Sequence, residues 1–285
     1  MLGSKILLPE SFSSSVLSRI KEIAVLRKLL LVILAAVVTM LVAVGLSPQA
    51  KANIVAEPVV YSIDGQPFEG YFAFNQNFGD TQPLVLLIHD RDGLDDYEKR
   101  RTQMLAEQGY AAFAIDLFGQ GVRPTSVDEA RAQTSALYGD RATMRARLMA
   151  GLAQAQAQTG VDGSQVVAIG YCFGGAAVLE MARAGMDVDG FVAFHGSFDT
   201  PEGQDYSQTQ GRVLILHGSA DSAAPMADVA QLATELDTAE VDFEMEIYGG
   251  VDHAFTIWSD ANRYDGMADR RSWQTLMTFL GEVLS

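Results

Sequence analysis

From residue 84 onward, short continuous apolar runs alternate with longer stretches in which apolar positions recur every three or four residues. The runs are Leu84 to Ile88, Ala111 to Ile115, Val166 to Ile169, Phe191 to Phe194, Val213 to Leu216 and Phe243 to Tyr248. Runs so short fit strands buried on both faces, bounded by turn signals. The intervening helical patterns cover Asp96 to Gln108, Val127 to Thr159 with a break near Gly139, Gly174 to Ala184, Pro225 to Leu236 and Arg270 to Leu284. Pro225 suits a first helical turn. This alternation predicts an α/β fold, a mostly parallel central sheet with helices on both faces. Ahead of it, Val59 to Ile63 and Phe68 to Phe74 flank Asp64-Gly65-Gln66-Pro67 and predict an N-terminal antiparallel hairpin.

The first 52 residues follow a different pattern. Arg19, Lys21, Arg27 and Lys28 precede an uncharged, largely apolar run from Leu29 to Ala50, which ends in Ala50-Lys51-Ala52. A cationic region, an apolar region and a small-residue cleavage pattern predict a signal peptide cut after Ala52. The apolar run is also long enough to stay as a membrane anchor with its basic flank in the cytoplasm. Either way, residues 53–285 are expected to be a single domain outside the cytoplasm, periplasmic or extracellular, touching membrane only through an uncleaved N-terminal segment.

Charge narrows the partners. Residues 1–52 carry six basic and two acidic side chains, so their removal moves the net charge from −16 to −20. Such a surface makes nucleic acid an implausible partner, and anionic membrane an equally poor one for the mature domain. The sequence contains one cysteine, so no intramolecular disulfide staples the fold.

That cysteine stands in Gly170-Tyr171-Cys172-Phe173-Gly174, between the β-branched run ending at Ile169 and a helical pattern. A side chain on so sharp a strand-to-helix turn needs a strained backbone and no Cβ two residues away on either side. The two glycines meet that need. Cys172 would then sit at a helix N-terminus, whose dipole favours a thiolate. The plainer alternative is a small buried apolar residue, which two glycines at these offsets and an exported free thiol both argue against.

A thiol nucleophile needs a base, and the base needs an acceptor that fixes its tautomer. Of the four histidines, His253 follows the last strand in Gly249-Gly250-Val251-Asp252-His253, and Asp221 follows the previous one in His217-Gly218-Ser219-Ala220-Asp221. The chain order Cys172, Asp221, His253 is that of an α/β-hydrolase. His195 and His217 are expected to line or support the crevice, and His89 to be hydrogen-bonded in the core. The amides of Phe173 and Arg91 are the expected oxyanion donors. No His or Cys spacing suggests a metal.

The Cys172 pentapeptide with Gly175, the Asp221 and His253 contexts, and the segment from Gln108-Gly109-Tyr110-Ala111 to Asp116-Leu117-Phe118 together resemble the dienelactone hydrolase family. The resemblance spans nearly all of residues 58–285. It implies an α/β-hydrolase fold, a Cys-Asp-His triad, and hydrolysis of an ester or lactone without a cofactor. Asp90 stands where the family commonly has a glutamate that interacts with the resting thiol. Ile257 stands where members acting on dienelactone carry an arginine, and Trp258 follows it. Asp90, Tyr171, Ile257 and Trp258 are thus expected around a less charged substrate, with Arg91 as a cation opposite and core packing as the equal alternative for Trp258.

The sequence therefore predicts a cofactor-independent hydrolase working through an acyl-enzyme. Two rivals use the same residues: a binding protein that keeps the fold without turnover, and a thiol-dependent acyltransferase.

Overall fold

The computed structural model describes residues 18–19, 21–30 and 53–284. The chain divides into two units, Met1–Lys51 and Ala52–Ser285. In the first, residues 21–30 are helical and exposed. The leader or anchor reading rests mainly on residues outside those described. Among the described residues no helix is long and apolar enough to cross a membrane.

The second unit begins with strands β1 (Ile54–Ile63) and β2 (Gln66–Asn75), an antiparallel hairpin closed by Asp64 and Gly65 alone. Both turn residues have positive φ, 50° and 81°, as a two-residue primed turn requires. Six further strands follow: β3 (Gln82–Ile88), β4 (Ala111–Ile115), β5 (Val161–Tyr171), β6 (Gly190–Phe194), β7 (Arg212–Gly218) and β8 (Phe243–Tyr248). All eight form one sheet in the order β1-β2-β4-β3-β5-β6-β7-β8. β2 pairs antiparallel with β4, and every pairing from β4 to β8 is parallel.

Alternation along each strand sends side chains to two separate cores. Leu84, Leu86, Val166, Ala168, Phe191, Ala193, Val213 and Ile215 enter one. Val85, Leu87, Val167, Ile169, Val192, Phe194, Leu214 and Leu216 enter the other. The first core is covered by α2 (Val127–Gly139), α3 (Arg141–Gln156), α4 (Phe173–Arg183) and α5 (Met226–Thr238). The second is covered by α1 (Asp96–Glu107) and α6 (Gly266–Val283). The fold is thus the expected α/β-hydrolase architecture, helices on both faces of a mostly parallel sheet.

The residues at their ends explain three helix boundaries, the first at the expected break near Gly139. The long pattern after Val127 breaks at Asp140, whose carboxylate accepts from the Thr143 amide and caps α3. Pro225 precedes α5 as its N-cap. The last helix starts at Gly266, because Asp265 accepts from the amides of Met267 and Ala268.

Candidate active site

Four parallel strands deliver the site at their carboxyl ends, where an open α/β sheet forms its crevice. Cys172 follows β5 and caps α4, with φ 53° and ψ −111°. Few Cβ-bearing residues adopt such a backbone, and surrounding contacts must hold it there. The Cys172 amide donates to Phe194 O at 3.0 Å, and its carbonyl accepts from Gly175 N at 3.1 Å. A Cβ at Gly170 would overlap the carbonyl oxygen of Gly174, and one at Gly174 the carbonyl oxygen of Ile88. The turn closes because neither atom exists.

Asp221 follows β7 and is buried in a largely exposed loop. Its Oδ1 accepts from the amides of Ala223 at 2.8 Å and Ala224 at 3.1 Å, and its Oδ2 faces His253 Nδ1 at 2.7 Å. On the far side of the same imidazole, Nε2 lies 3.2 Å from Cys172 Sγ. The three residues form one hydrogen-bonded chain from carboxylate to sulfur. Its order is the predicted one.

Electrostatics separate the four histidines. Burial drives His89 down to about 4; its Nδ1 lies 2.6 Å from the carbonyl oxygen of Asp90, and its Nε2 accepts from Leu117 N. Burial likewise holds His195 well below the ordinary imidazole value and lowers His217, whose Nε2 donates to Ala224 O at 2.8 Å. His253 alone goes the other way. Burial opposes its charge, but the hydrogen bonds to Asp221 and Cys172 outweigh it and raise it to about 10. Asp221 is correspondingly lowered: burial works against the carboxylate, and the His253 bond and the two amides prevail.

Cys172 and His253 line a cleft with two lobes, about 300 Å³ and about 470 Å³, sharing Arg91 and Arg263. Asp90 and Ile257 line the larger lobe. The Asp90 carboxylate accepts from the Asp92 amide at 3.0 Å and so braces its own loop. Phe173 N–H belongs to the first turn of α4, where amides have no helical partner.

Two expected pocket residues lie elsewhere. Tyr171 is 0% exposed, because it continues the Val167, Ile169 alternation into the core under α1 and α6, where its ring stacks on Phe194 at 4.6 Å. Trp258 turns away from the cleft lining. Its Nε1 donates to Asp269 at 3.1 Å, and its ring covers Arg101 at 4.4 Å.

The lining also holds residues that were not foreseen, Thr134, Tyr138 and Arg263 among them. Thr134 and Tyr138, one helical turn apart on α2, border the smaller lobe. The Tyr138 ring packs edge-on against Phe173 at 5.4 Å, and burial followed by the nearby Cys172 raises its phenol above the ordinary value. Arg263 comes from a polar loop with no periodic signal. Among the described residues no cluster of His, Cys, Asp and Glu could hold a metal ion.

A side chain held on a strained strand-to-helix turn, with a carboxylate and a histidine supplied by the loops after the last two strands, defines an α/β-hydrolase. The chain belongs to the dienelactone hydrolase family, whose model matches residues 68–284, and it is accordingly a hydrolase of carboxylic esters or lactones. It is 29% identical over 209 residues to a Synechocystis sp. protein named as a carboxymethylenebutenolidase, covering 67% of this chain and 82% of that one. Among solved structures it is similar to a dienelactone hydrolase-like promiscuous phosphotriesterase from metagenomic libraries, with 31% identity and a TM-score of 0.77, covering 82% of this chain and 100% of that one. A dienelactone hydrolase-named structure from Klebsiella pneumoniae, 22% identical with a TM-score of 0.71 over 80% of this chain and 98% of that one, shares the fold.

Proposed function

We propose that Cys172 is the nucleophile of this hydrolase, His253 its proton carrier and Asp221 the residue that orients His253. The observation that carries the reading is the hydrogen-bonded chain of 2.7 Å from Asp221 to His253 and 3.2 Å from His253 to Cys172. It starts from a side chain presented at a helix N-terminus, where developing negative charge is favoured. His253, raised to about 10, carries a proton at neutral pH and so faces the sulfur as an imidazolium.

In the first half-reaction the Cys172 thiolate attacks the ester or lactone carbonyl carbon, and the carbonyl electron pair moves to oxygen. The amides of Phe173 and Arg91 are the proposed donors to that oxyanion. Collapse expels the alkoxide, which takes the proton from His253 Nε2 and leaves a thioester on Cys172. In the second, neutral His253 accepts a proton from water as it attacks the thioester, and the thiolate departs with the acid product. No cofactor enters the balance.

The substrate is a small ester or lactone entering between Arg91 and Arg263, with Ile257 as an apolar contact. The cationic segment and apolar run before residue 53 support export of the hydrolase domain.

The test compares hydrolysis of p-nitrophenyl acetate by the purified protein and by Cys172→Ala, with mass spectrometry of the acid-quenched parent. An acetyl adduct on Cys172 and an inactive variant are expected. Equal activity in both would sink the mechanism, no turnover by the parent would favour the binding-protein reading, and an adduct discharged to an added alcohol or amine in preference to water would favour the acyltransferase reading.

A further inference from the structure

We propose that Arg101 is a positioning residue for His253, anchoring the strained segment that carries it. The inference rests on the reading of His253 as proton carrier. Arg101 lies on α1 in the run Asp-Tyr-Glu-Lys-Arg-Arg, which reads as a solvated face, yet it is 1% exposed. Its guanidinium carbon sits over four aromatic rings: Trp258 at 4.4 Å, Tyr97 at 5.1 Å, Trp273 at 5.2 Å and Tyr171 at 5.6 Å. A cation so enclosed needs a counter-ion. Asp269 of α6 supplies it through a direct hydrogen bond from Nη2.

The remaining contacts converge on one segment. Arg101 Nη2 donates to the Thr256 carbonyl at 3.3 Å, and Nε donates to Tyr97 Oη at 3.1 Å. Tyr97 Oη donates in turn to Thr256 Oγ1 at 2.8 Å, which lies 2.8 Å from His195 Nε2. The His195 ring meets the His253 ring edge-on at 5.3 Å. Asp269 also accepts from Trp258 Nε1.

Between His253 and Thr256 stands Ala254, with φ 60°. A Cβ-bearing residue there is strained, and such a link persists only where its two ends are over-determined. Asp221 fixes one end through His253, and Arg101 fixes the other through Thr256. A purely stabilising role fits less well. A buried ion pair is often no more stable than apolar packing of the same volume, so stability alone does not account for Arg101 at this place.

The deciding variants are Arg101→Lys and Arg101→Gln, which lose both the Nη2 bond to the Thr256 carbonyl and the Nε link through Tyr97. Tyr97→Phe and Thr256→Val, which leave the Nη2 bond in place, accompany them. Each is prepared as the full chain and assayed where circular dichroism shows it folded. The readouts are kcat and KM on p-nitrophenyl acetate and the rate of Cys172 alkylation by iodoacetamide at pH 7. Displacing a reacting group by about an ångström costs on the order of 100-fold in rate. The folded variants are therefore expected to lose roughly 10- to 100-fold in kcat, with a parallel fall in alkylation rate and KM within about two-fold. Unchanged kcat and alkylation in folded Arg101→Lys or Arg101→Gln, beside a fast-alkylating parent, would overturn the positioning role alone. A parent thiol that alkylates no faster than free cysteine would overturn the functional reading and this one with it.

Discussion

His253 bridges Cys172 and Asp221 through opposite edges of one ring, 3.2 Å from the sulfur and 2.7 Å from the carboxylate. The carboxylate fixes which nitrogen faces the sulfur. Asp221→Asn keeps the side-chain volume but lets the amide present a donor to Nδ1, which favours the wrong tautomer. We expect kcat to fall by about 10²- to 10⁴-fold with KM little changed, whereas Cys172→Ala should lose essentially all turnover. Steady-state kinetics on one activated ester decide the point. An Asp221→Asn enzyme with parental kcat would remove Asp221 from the mechanism.

The same pair sets a pH signature. His253 is raised from the ordinary 6.5 to about 10, so the folded state binds this proton more tightly than the unfolded chain. Its contribution to stability is therefore fully present below about pH 6.5 and is lost as pH rises through about 10. Asp221 is lowered from 3.8, so its contribution is present above that value and lost as pH falls through its folded value. Hydrolysis should decline on the alkaline side near pH 10, where the proton for the leaving group is gone. Urea melts between pH 6.5 and 10 should show the parent losing stability relative to His253→Gln. Parallel stability curves for the two proteins would contradict the shift.

The turn that presents Cys172 makes a different prediction. At φ 53° and ψ −111°, any Cβ at position 172 is strained, and a glycine there is not. Cys172→Ala and Cys172→Gly both lack the sulfur, so the difference between them isolates the backbone. Glycine should be the more stable by about 1 to 3 kcal/mol in chemical denaturation, less the usual entropic cost of glycine. A more stable alanine variant would refute the strain. By contrast Gly170→Ala and Gly174→Ala drive a methyl into backbone carbonyls and should fail to accumulate as folded protein.

Much of this was legible in the sequence because parallel strands buried on both faces leave continuous apolar runs. Chemistry placed in the loops after such strands keeps its order along the chain. Cys172, Asp221 and His253 were found that way. Tyr171 was misplaced although a signal existed: it is the third member of the Val167, Ile169 alternation, and that face packs on α1 and α6. Arg101 left no signal, since a charged residue among charged neighbours reads as solvated, and only tertiary packing encloses it in aromatic rings. Thr134 and Tyr138 reach the cleft because α2 ends above it, a fact of tertiary packing rather than local pattern. Ile257 was expected to mark a less charged substrate, yet Arg263 restores a cation from a loop that periodicity does not describe.

Arg91 and Arg263 border both lobes of the cleft beside the Cys172 sulfur in a domain whose surface is otherwise strongly acidic. Arg91 makes no ion pair among the described residues, and Arg263 has only Asp260, at 3.7 Å between adjacent turns of one loop. Both guanidiniums are thus available to a substrate anion, and exposed pairs of this kind contribute little to the fold. Hydrolysis of an activated ester bearing a carboxylate should show a KM that rises with ionic strength, while the neutral acetate should not. Arg91→Ala with Arg263→Ala should raise KM for the anionic ester by roughly 10-fold and leave the neutral one within about two-fold, as expected when uniform binding is lost. Matching changes for both esters would mean that the arginines shape the cleft without reading charge.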